Sequence, residues 1–224
     1  MKAAKLLDWF FPRRCPFCGK INASDLLCER CQETLPWLIG PAAHSHVEFM
    51  EDAASALGYQ GAVRSGVLGL KFGKKLSRAK PFGRLIGQCI QDDLEGPFDL
   101  ISWPSLSARR RRKRGFDQGE KLAREAADFL GLPAVRLFEK EDRPAQSGLR
   151  DPAQRRANVL GAYHLTDPEA VKEKRILLVD DVLTTGATLS ECARVLRTAG
   201  AKTVCAATLA KAGKEWAKTE SRIP

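Results

Sequence analysis

Apolar residues recur at helical spacing in three parts of the chain, and this spacing predicts three amphipathic helices. The segments are Pro81 to Leu94, Leu122 to Leu130 and Thr188 to Ala199. In the first two segments the apolar face consists of Phe82, Ile86, Cys89 and Ile90, and of Leu122, Ala126, Phe129 and Leu130.

Short apolar runs between these helices predict strands at residues 55–59, 98–103, 134–138, 175–179 and 202–209. Strands that alternate with helices indicate an α/β domain with a mainly parallel, Rossmann-like sheet. Residues 141–162 interrupt this alternation with a polar segment that contains Pro144, Gly148 and Pro152. A loop of this length inside a compact domain is typical of a functional or mobile segment.

Four cysteines near the start of the chain have the spacing C-x2-C-x9-C-x2-C, and they are Cys15, Cys18, Cys28 and Cys31. Each pair forms a turn that directs two thiolates at one point, so two pairs supply the four sulfurs of a tetrahedral structural zinc site. A redox dithiol needs only one such pair. The remaining cysteines, Cys89, Cys192 and Cys205, lie in apolar runs and are predicted to be core residues.

The segment from Ile176 to Thr188 reads as an apolar strand that ends in Asp180 and Asp181, followed by a short hydroxyl-rich loop and a helix. Thr188 and Glu191 have capping-box spacing, which predicts a helix start at Thr188. Backbone N–H groups at a helix start bind anions, whereas carboxylates at a strand end suit sugar hydroxyls or Mg²⁺. We expect a phosphate site formed by Thr184, Thr185, Gly186, Ala187 and Thr188.

The formal net charge of the 224-residue chain is +10, and it is concentrated in two places. Ser105 to Arg124 holds eight basic and two acidic residues, and Lys71 to Arg84 holds six basic residues and no acidic one. Such clusters suit phosphates or nucleic acid, or they form a solvated surface. The odd number of cysteines, seven, and the absence of a secretory signal favour the cytoplasm. No run approaches the ~18 apolar residues of a membrane span, and no Walker motif occurs.

The segment from Ile176 to Thr188 resembles the signature of type I phosphoribosyltransferases, and the whole chain resembles the ComF family. The wider resemblance is carried by the four cysteines, a Y-x-G-x-V-R…L-K-F stretch from Tyr59, the segment Arg114-Gly-Phe-Asp-Gln118, Gln146, and Arg155-Arg-Ala-Asn-Val159. The resemblance implies a type I phosphoribosyltransferase fold at residues 49–224, behind a zinc ribbon at residues 1–48.

The resemblance also implies the ligand, phosphoribosyl pyrophosphate (PRPP) with magnesium, and a link to DNA uptake or use. Asp180 and Asp181 would hold the ribose hydroxyls, and the Thr184–Thr188 loop the 5-phosphate. A loop from Pro104 to Arg114 would face the pyrophosphate with Arg109, Arg112 and Arg114, and Lys71 would approach phosphate. A flexible hood would contribute Gln146, Arg155 and Arg156.

Two positions depart from the ComF pattern. Asp117 replaces the usual asparagine, and Trp103-Pro-Ser-Leu106 replaces a V-P-V-P-L segment. A carboxylate at Asp117 either repels pyrophosphate or pairs with a neighbouring arginine.

Three functions are consistent with the sequence. The first is an enzyme that transfers phosphoribose from PRPP to an unidentified acceptor. The second is a non-catalytic module that binds single-stranded DNA or a 5-phosphate end, together with proteins of the competence machinery. Aromatic residues make up 7% of the chain and are not interleaved with the basic run, which argues against a base-stacking surface. The third is a zinc-centred scaffold.

Overall fold

A four-stranded parallel sheet forms the centre of the protein in the computed structural model, which describes residues 13–213 except 23, 25, 74 and 143–156. The strands are β1 (Asp52–Gly58), β2 (Leu100–Ser102), β5 (Arg175–Leu183) and β6 (Thr203–Lys211), in the spatial order β1-β6-β5-β2. Strands β3 (Phe138–Lys140) and β4 (Tyr163–Leu165) form a separate antiparallel pair. The mainly parallel α/β fold is confirmed.

The described α-helices are α1 (Glu29–Thr34), α2 (Gly61–Lys71), α3 (Ala79–Asp93), α4 (Ala108–Arg114), α5 (Gln118–Leu130) and α6 (Ala187–Thr198). The predicted apolar face of α3 is buried, with Phe82, Ile86 and Cys89 each 0% exposed. In α5, Leu122 and Ala126 are buried, but Phe129 is 39% exposed because the helix reaches the edge of its packing surface there. No α-helix in the described part of the chain is long and apolar enough to span a bilayer.

Two layers of side chains pack on opposite faces of the sheet. One core cluster lies with α2, α3 and α5, and the other with α6 and the β3–β4 pair. The predicted strand at 134–138 is wrong in extent, since Ala134 forms only an isolated bridge to Ile101 and the strand begins at Phe138. After the turn that precedes Pro133, the chain runs alongside β2 for one residue pair only, and one pair does not make a strand.

The four-cysteine region packs directly on the α/β core. Phe17 lies 5.0 Å from Phe82 between ring centroids. A Cβ added at Gly66 would lie 3.0 Å from the Phe17 ring, so glycine permits this close approach. Backbone N–H groups of Leu38 and Gly58 donate across the junction to Ala56 and Pro36. The domain boundary at residue 48 stays a prediction.

Candidate functional site

The predicted phosphate loop lies at the carboxyl end of β5, between that strand and α6. The strand continues to Leu183, four residues beyond its apolar run, because Asp180 and Val182 remain paired with β6. Gly186 has a φ of +73° and forms the N-cap of α6, a conformation that side-chain-bearing residues rarely adopt. The first N–H groups of a helix have no intrahelical acceptor, and they point here into a cavity of about 180 Å³. This geometry suits an anion.

The capping box predicted from Thr188 and Glu191 is wrong. The helix begins at Ala187, whose N–H donates to the Oγ1 of Thr185 at 3.4 Å, and neither Thr188 nor Glu191 caps it. Glu191 is buried and accepts a hydrogen bond from the N–H of Gly161 at 2.8 Å, while Arg194 donates to both of its carboxylate oxygens. Glu191 therefore ties α6 to the segment before β4, and the helix N-terminus stays open.

Asp180 and Asp181 sit on β5 beside this cavity with different partners. Asp180 lines the cavity and accepts a hydrogen bond from the N–H of Asp181 at 2.8 Å. Asp181 is buried, and its Oδ1 lies 2.8 Å from the Nζ of Lys71 at the end of α2. The other oxygen, Oδ2, is buried and has no hydrogen-bond partner. A buried carboxylate oxygen normally has a donor, so Asp181 has room for one more.

The charges of this group are coupled. Burial raises the pKa of Asp180 to about 7, with a further contribution from the neighbouring charge of Asp181. Burial alone would lower the pKa of Lys71, but Asp181 and Asp180 together raise it, so the ammonium stays charged. Two carboxylates and one buried cation therefore share the end of the sheet, and Asp180 changes its charge near neutral pH.

The basic run does not form the predicted loop, because residues 108–114 fold into helix α4 and only residues 104–107 are irregular. Helical spacing divides its cations between faces. Arg110, Lys113 and Arg114 line a cavity of about 360 Å³ together with Lys71, Phe72 and Phe116. Arg114 and Lys71 were predicted from the sequence, but the other four were not, because a run of six adjacent cations shows no periodicity that would assign them to faces of a helix.

Arg109 and Arg112 lie on another side of α4, near Asp142. The N–H of Arg109 donates to Asp142 at 3.2 Å. The pKa of Asp142 is lowered mainly by a hydrogen bond from Ser107, and the positive charges of Arg109 and Arg112 lower it further. Arg111 pairs with Glu120 at 3.3 Å. The hood residues Gln146, Arg155 and Arg156 lie outside the described residues.

Asp117 forms no ion pair with an arginine among the described ion pairs, so that alternative is wrong, although its charge acts against the effect of burial to raise the pKa of Arg114. Repulsion of pyrophosphate by Asp117 stays a prediction. Its carboxylate is the N-cap of α5, where Oδ1 accepts from Gly119 and Glu120. Its Oδ2 accepts from the N–H of Leu106 at 2.7 Å, which fixes the irregular segment before α4. Asparagine and aspartate are equally good N-caps, so this departure keeps the local fold.

The sulfur atoms of Cys15, Cys18, Cys28 and Cys31 all lie within 4.8 Å of one another. A tetrahedral site with Zn–S bonds of about 2.3 Å places its sulfurs about 3.8 Å apart, so this cluster fits zinc. Burial would raise the pKa of Cys15, but N–H donors of Cys28, Cys18 and Phe17 lower it to about 7, which favours a thiolate ligand. Cys89, Cys192 and Cys205 are buried as predicted.

Comparison with known families gives two matches. Residues 113–222 match the phosphoribosyl transferase domain, and residues 6–45 match the double zinc ribbon domain. The second match contains all four clustered cysteines, which supports structural zinc.

Two similar proteins cover most of the chain. DNA utilization protein YhgH of Salmonella typhimurium is 30% identical over 198 residues, which is 85% of this chain and 80% of that protein. Competence protein ComFC of Streptococcus pneumoniae is 30% identical over 193 residues, 85% of this chain and 77% of its own length. Among solved structures, glutamine PRPP amidotransferase from B. subtilis matches with a TM-score of 0.40 and 20% identity, covering 58% of this chain and 26% of that one.

Proposed function

Because the chain belongs to the ComF family of competence and DNA utilization proteins with a phosphoribosyltransferase domain, we propose that it binds PRPP at the end of β5. The 5-phosphate would lie at the Thr184–Thr188 loop, where the open N-terminus of α6 offers N–H donors. The ribose would lie between this loop and α2, against Asp180 and Asp181.

The observation that carries this proposal is the orphaned Oδ2 of Asp181. A buried carboxylate oxygen without a donor costs about 1–3 kcal/mol or more, and a ribose hydroxyl would supply the donor. Asp180 adds a second acceptor a peptide bond away, which matches the two vicinal hydroxyls of ribose. Lys71 holds the Oδ1 of Asp181, so that Oδ2 is left for the sugar.

The pyrophosphate would extend from the ribose toward Lys71 and Arg114. The pKa of Arg114 is lowered by burial and raised by the charge of Asp181, which supports a position close to the acidic pair. Arg109 and Arg112 stay candidates for contact with the pyrophosphate, as do Gln146, Arg155 and Arg156, which lie outside the described residues. Carboxylate oxygens are ligands that Mg²⁺ accepts, and magnesium bound with PRPP would neutralise part of the pyrophosphate charge.

These groups also suit transfer chemistry. When the bond between C1 and the pyrophosphate oxygen breaks, positive charge develops on the ribose ring and negative charge on the leaving group. Asp180 and Asp181 would hold the sugar by its hydroxyls and lie on its cationic side, while Lys71 and Arg114 would stabilise the departing anion. The acceptor attacks C1 and loses its proton, so the products are an acceptor that carries the 5-phosphoribosyl group and pyrophosphate.

The test is calorimetric titration of ribose 5-phosphate into wild-type protein and into the Asp180→Asn, Asp181→Asn double variant. We expect the double variant to bind at least about tenfold more weakly, since each lost charge-assisted hydrogen bond is worth about 1.5–3 kcal/mol. The matched control is Asp92→Asn with Asp93→Asn, which removes another adjacent pair of carboxylates at the end of α3 and should change nothing. Equal affinity in the first variant and the wild type would contradict the proposal.

A second candidate function is a non-catalytic module for single-stranded DNA that acts with competence proteins. It is favoured by Arg110, Lys113 and Arg114, for which the described residues contain no carboxylate within ion-pair distance. Incubation with PRPP, magnesium and candidate acceptors separates the two functions, because only the enzyme releases pyrophosphate. In either case a reducing cytoplasm would keep the four thiols available for zinc.

A further inference from the structure

The cavity beside Lys71 has a feature that pyrophosphate does not require, which is an aromatic wall. Phe72, at the end of α2, is 66% exposed. Phe116, two residues after the end of α4, lines the same cavity. Exposing a large apolar side chain to water costs free energy, which a ligand that covers the side chain recovers. The two phenylalanines are 44 positions apart in the sequence, so only the fold brings them together beside the basic helix.

Phe72 already stacks on a cation. The guanidinium carbon of Arg114 lies 5.0 Å from the centroid of the Phe72 ring. Because the side chain is nevertheless mostly exposed, one face of the ring is covered by Arg114 and the remaining ring surface stays open. A ring held by a guanidinium is a pre-positioned platform for a second aromatic group.

The cations of the cavity have capacity for an anion. Lys71 is engaged with Asp181, but Arg110, Lys113 and Arg114 have no ion pair within the described ranges. Arg114 donates to Gln118, which is neutral, and the negative charges of Asp181 and Asp117 act on it only from beyond ion-pair distance. The volume of about 360 Å³ is in the range of small-molecule pockets, and its concave shape disfavours a flat lipid surface.

A ligand that is both aromatic and anionic fits this combination, and we propose that the cavity binds a nucleotide. Its base stacks on the open face of Phe72, and its phosphate contacts Arg110 and Lys113. Base stacking on aromatic side chains together with backbone phosphates on basic ones is how proteins hold single nucleotides of a strand. The nucleotide is either a free mononucleotide or one residue of a single strand. This site is separate from the 5-phosphate loop and does not depend on transfer, but it shares Lys71 and Arg114 with the pyrophosphate position of the proposed function.

The experiment first saturates the protein with ribose 5-phosphate, so that the loop site is filled, and then titrates deoxyadenosine monophosphate. We expect binding that Phe72→Ala weakens about 5- to 150-fold, the range measured for loss of a stacked base. Phe72→Trp should keep or tighten it. Phe129→Ala, which truncates another exposed phenylalanine on α5, is the matched control and should bind as the wild type does.

A second titration uses a short single-stranded oligodeoxynucleotide in place of the mononucleotide. If Phe72→Ala weakens both ligands and the oligonucleotide binds more tightly, the natural ligand is a strand; if only the mononucleotide binds, it is a small molecule. Equal affinity of the wild type and Phe72→Ala for both ligands, or no binding of either, overturns the proposal. A failure of ribose 5-phosphate to bind in the first step would instead count against the phosphoribose site.

Discussion

Replacing Lys71 with methionine tests whether the ion pair at the end of β5 is a structural element of the site. The substitution keeps most of the length and apolar stem of the side chain and removes only the ammonium. Asp181 would then lose the one ion pair that it forms with a described residue, because Oδ1 accepts from Lys71 and Oδ2 has no hydrogen-bond partner in the described part of the chain. The side chain of Asp181 is only 5% exposed, so its negative charge would stay buried without the lysine that now pairs with it.

Removing one partner of a buried ion pair costs about 3–5 kcal/mol. We expect the lower end, since 22% of the Lys71 side chain is exposed and water will solvate part of the freed carboxylate. For a chain of this size about 3 kcal/mol lowers the melting temperature by about 6–12 °C. The assay is urea unfolding followed by circular dichroism, with the midpoint and slope fitted together.

Two further variants make the measurement specific. Lys172→Met removes a lysine from the exposed pair with Glu169 and should cost less than about 1 kcal/mol. Combining Lys71→Met with Asp181→Asn removes both charges and should restore much of the lost stability. If Lys71→Met unfolds at the wild-type urea midpoint, or if the double variant is no more stable than the single one, the ion pair does not carry the energy assigned to it.

Two other predictions concern metal and pH. Purified protein should contain one zinc per chain. The double variant Cys28→Ser, Cys31→Ser should contain none, whereas the control Cys205→Ser should keep its zinc. Full zinc content in the double variant would show that these two cysteines are not ligands. Affinity for ribose 5-phosphate should rise between about pH 6 and about pH 8, because Asp180, whose pKa is raised to about 7, becomes a charged acceptor as it loses its proton. In Asp180→Asn only the ionisation of the ligand phosphate should remain, and identical pH profiles would argue against this role.

The elements that the sequence predicted well are those with a strong local signal. Helix α3 has four apolar residues at helical spacing, all buried, and β5 has an unbroken apolar run. The cysteine cluster follows from its spacing alone, since each Cys-x-x-Cys turn determines where its thiolates point. The loop between β5 and α6 was located by its glycine and hydroxyl residues between a strand and a helix, and its role as a phosphate site stays a prediction.

The parts that were missed depend on contacts between distant residues. Glu191 matched a capping box locally, yet it bonds to Gly161, thirty residues earlier in the chain. Six consecutive cations gave no periodicity to separate helix from loop, so α4 and its two faces were not predicted. The sequence also argued against a stacking surface because aromatic residues are absent from the basic run, whereas the fold brings Phe72 to Arg114 from another helix.

The position of β6 has a consequence for how the protein folds during synthesis. This strand lies between β1 and β5, so among the described strands β1 pairs only with the one that is made last, while its other edge forms isolated bridges to Trp37 and His44. Until residues 203–211 leave the ribosome, β1 has no strand neighbour and β5 has an open edge. Sheets closed by such distant pairings form slowly and expose aggregation-prone edges meanwhile. We therefore expect nascent chains that stop before residue 203 to need chaperones, while the cysteine cluster, made of local contacts, is available to bind zinc early.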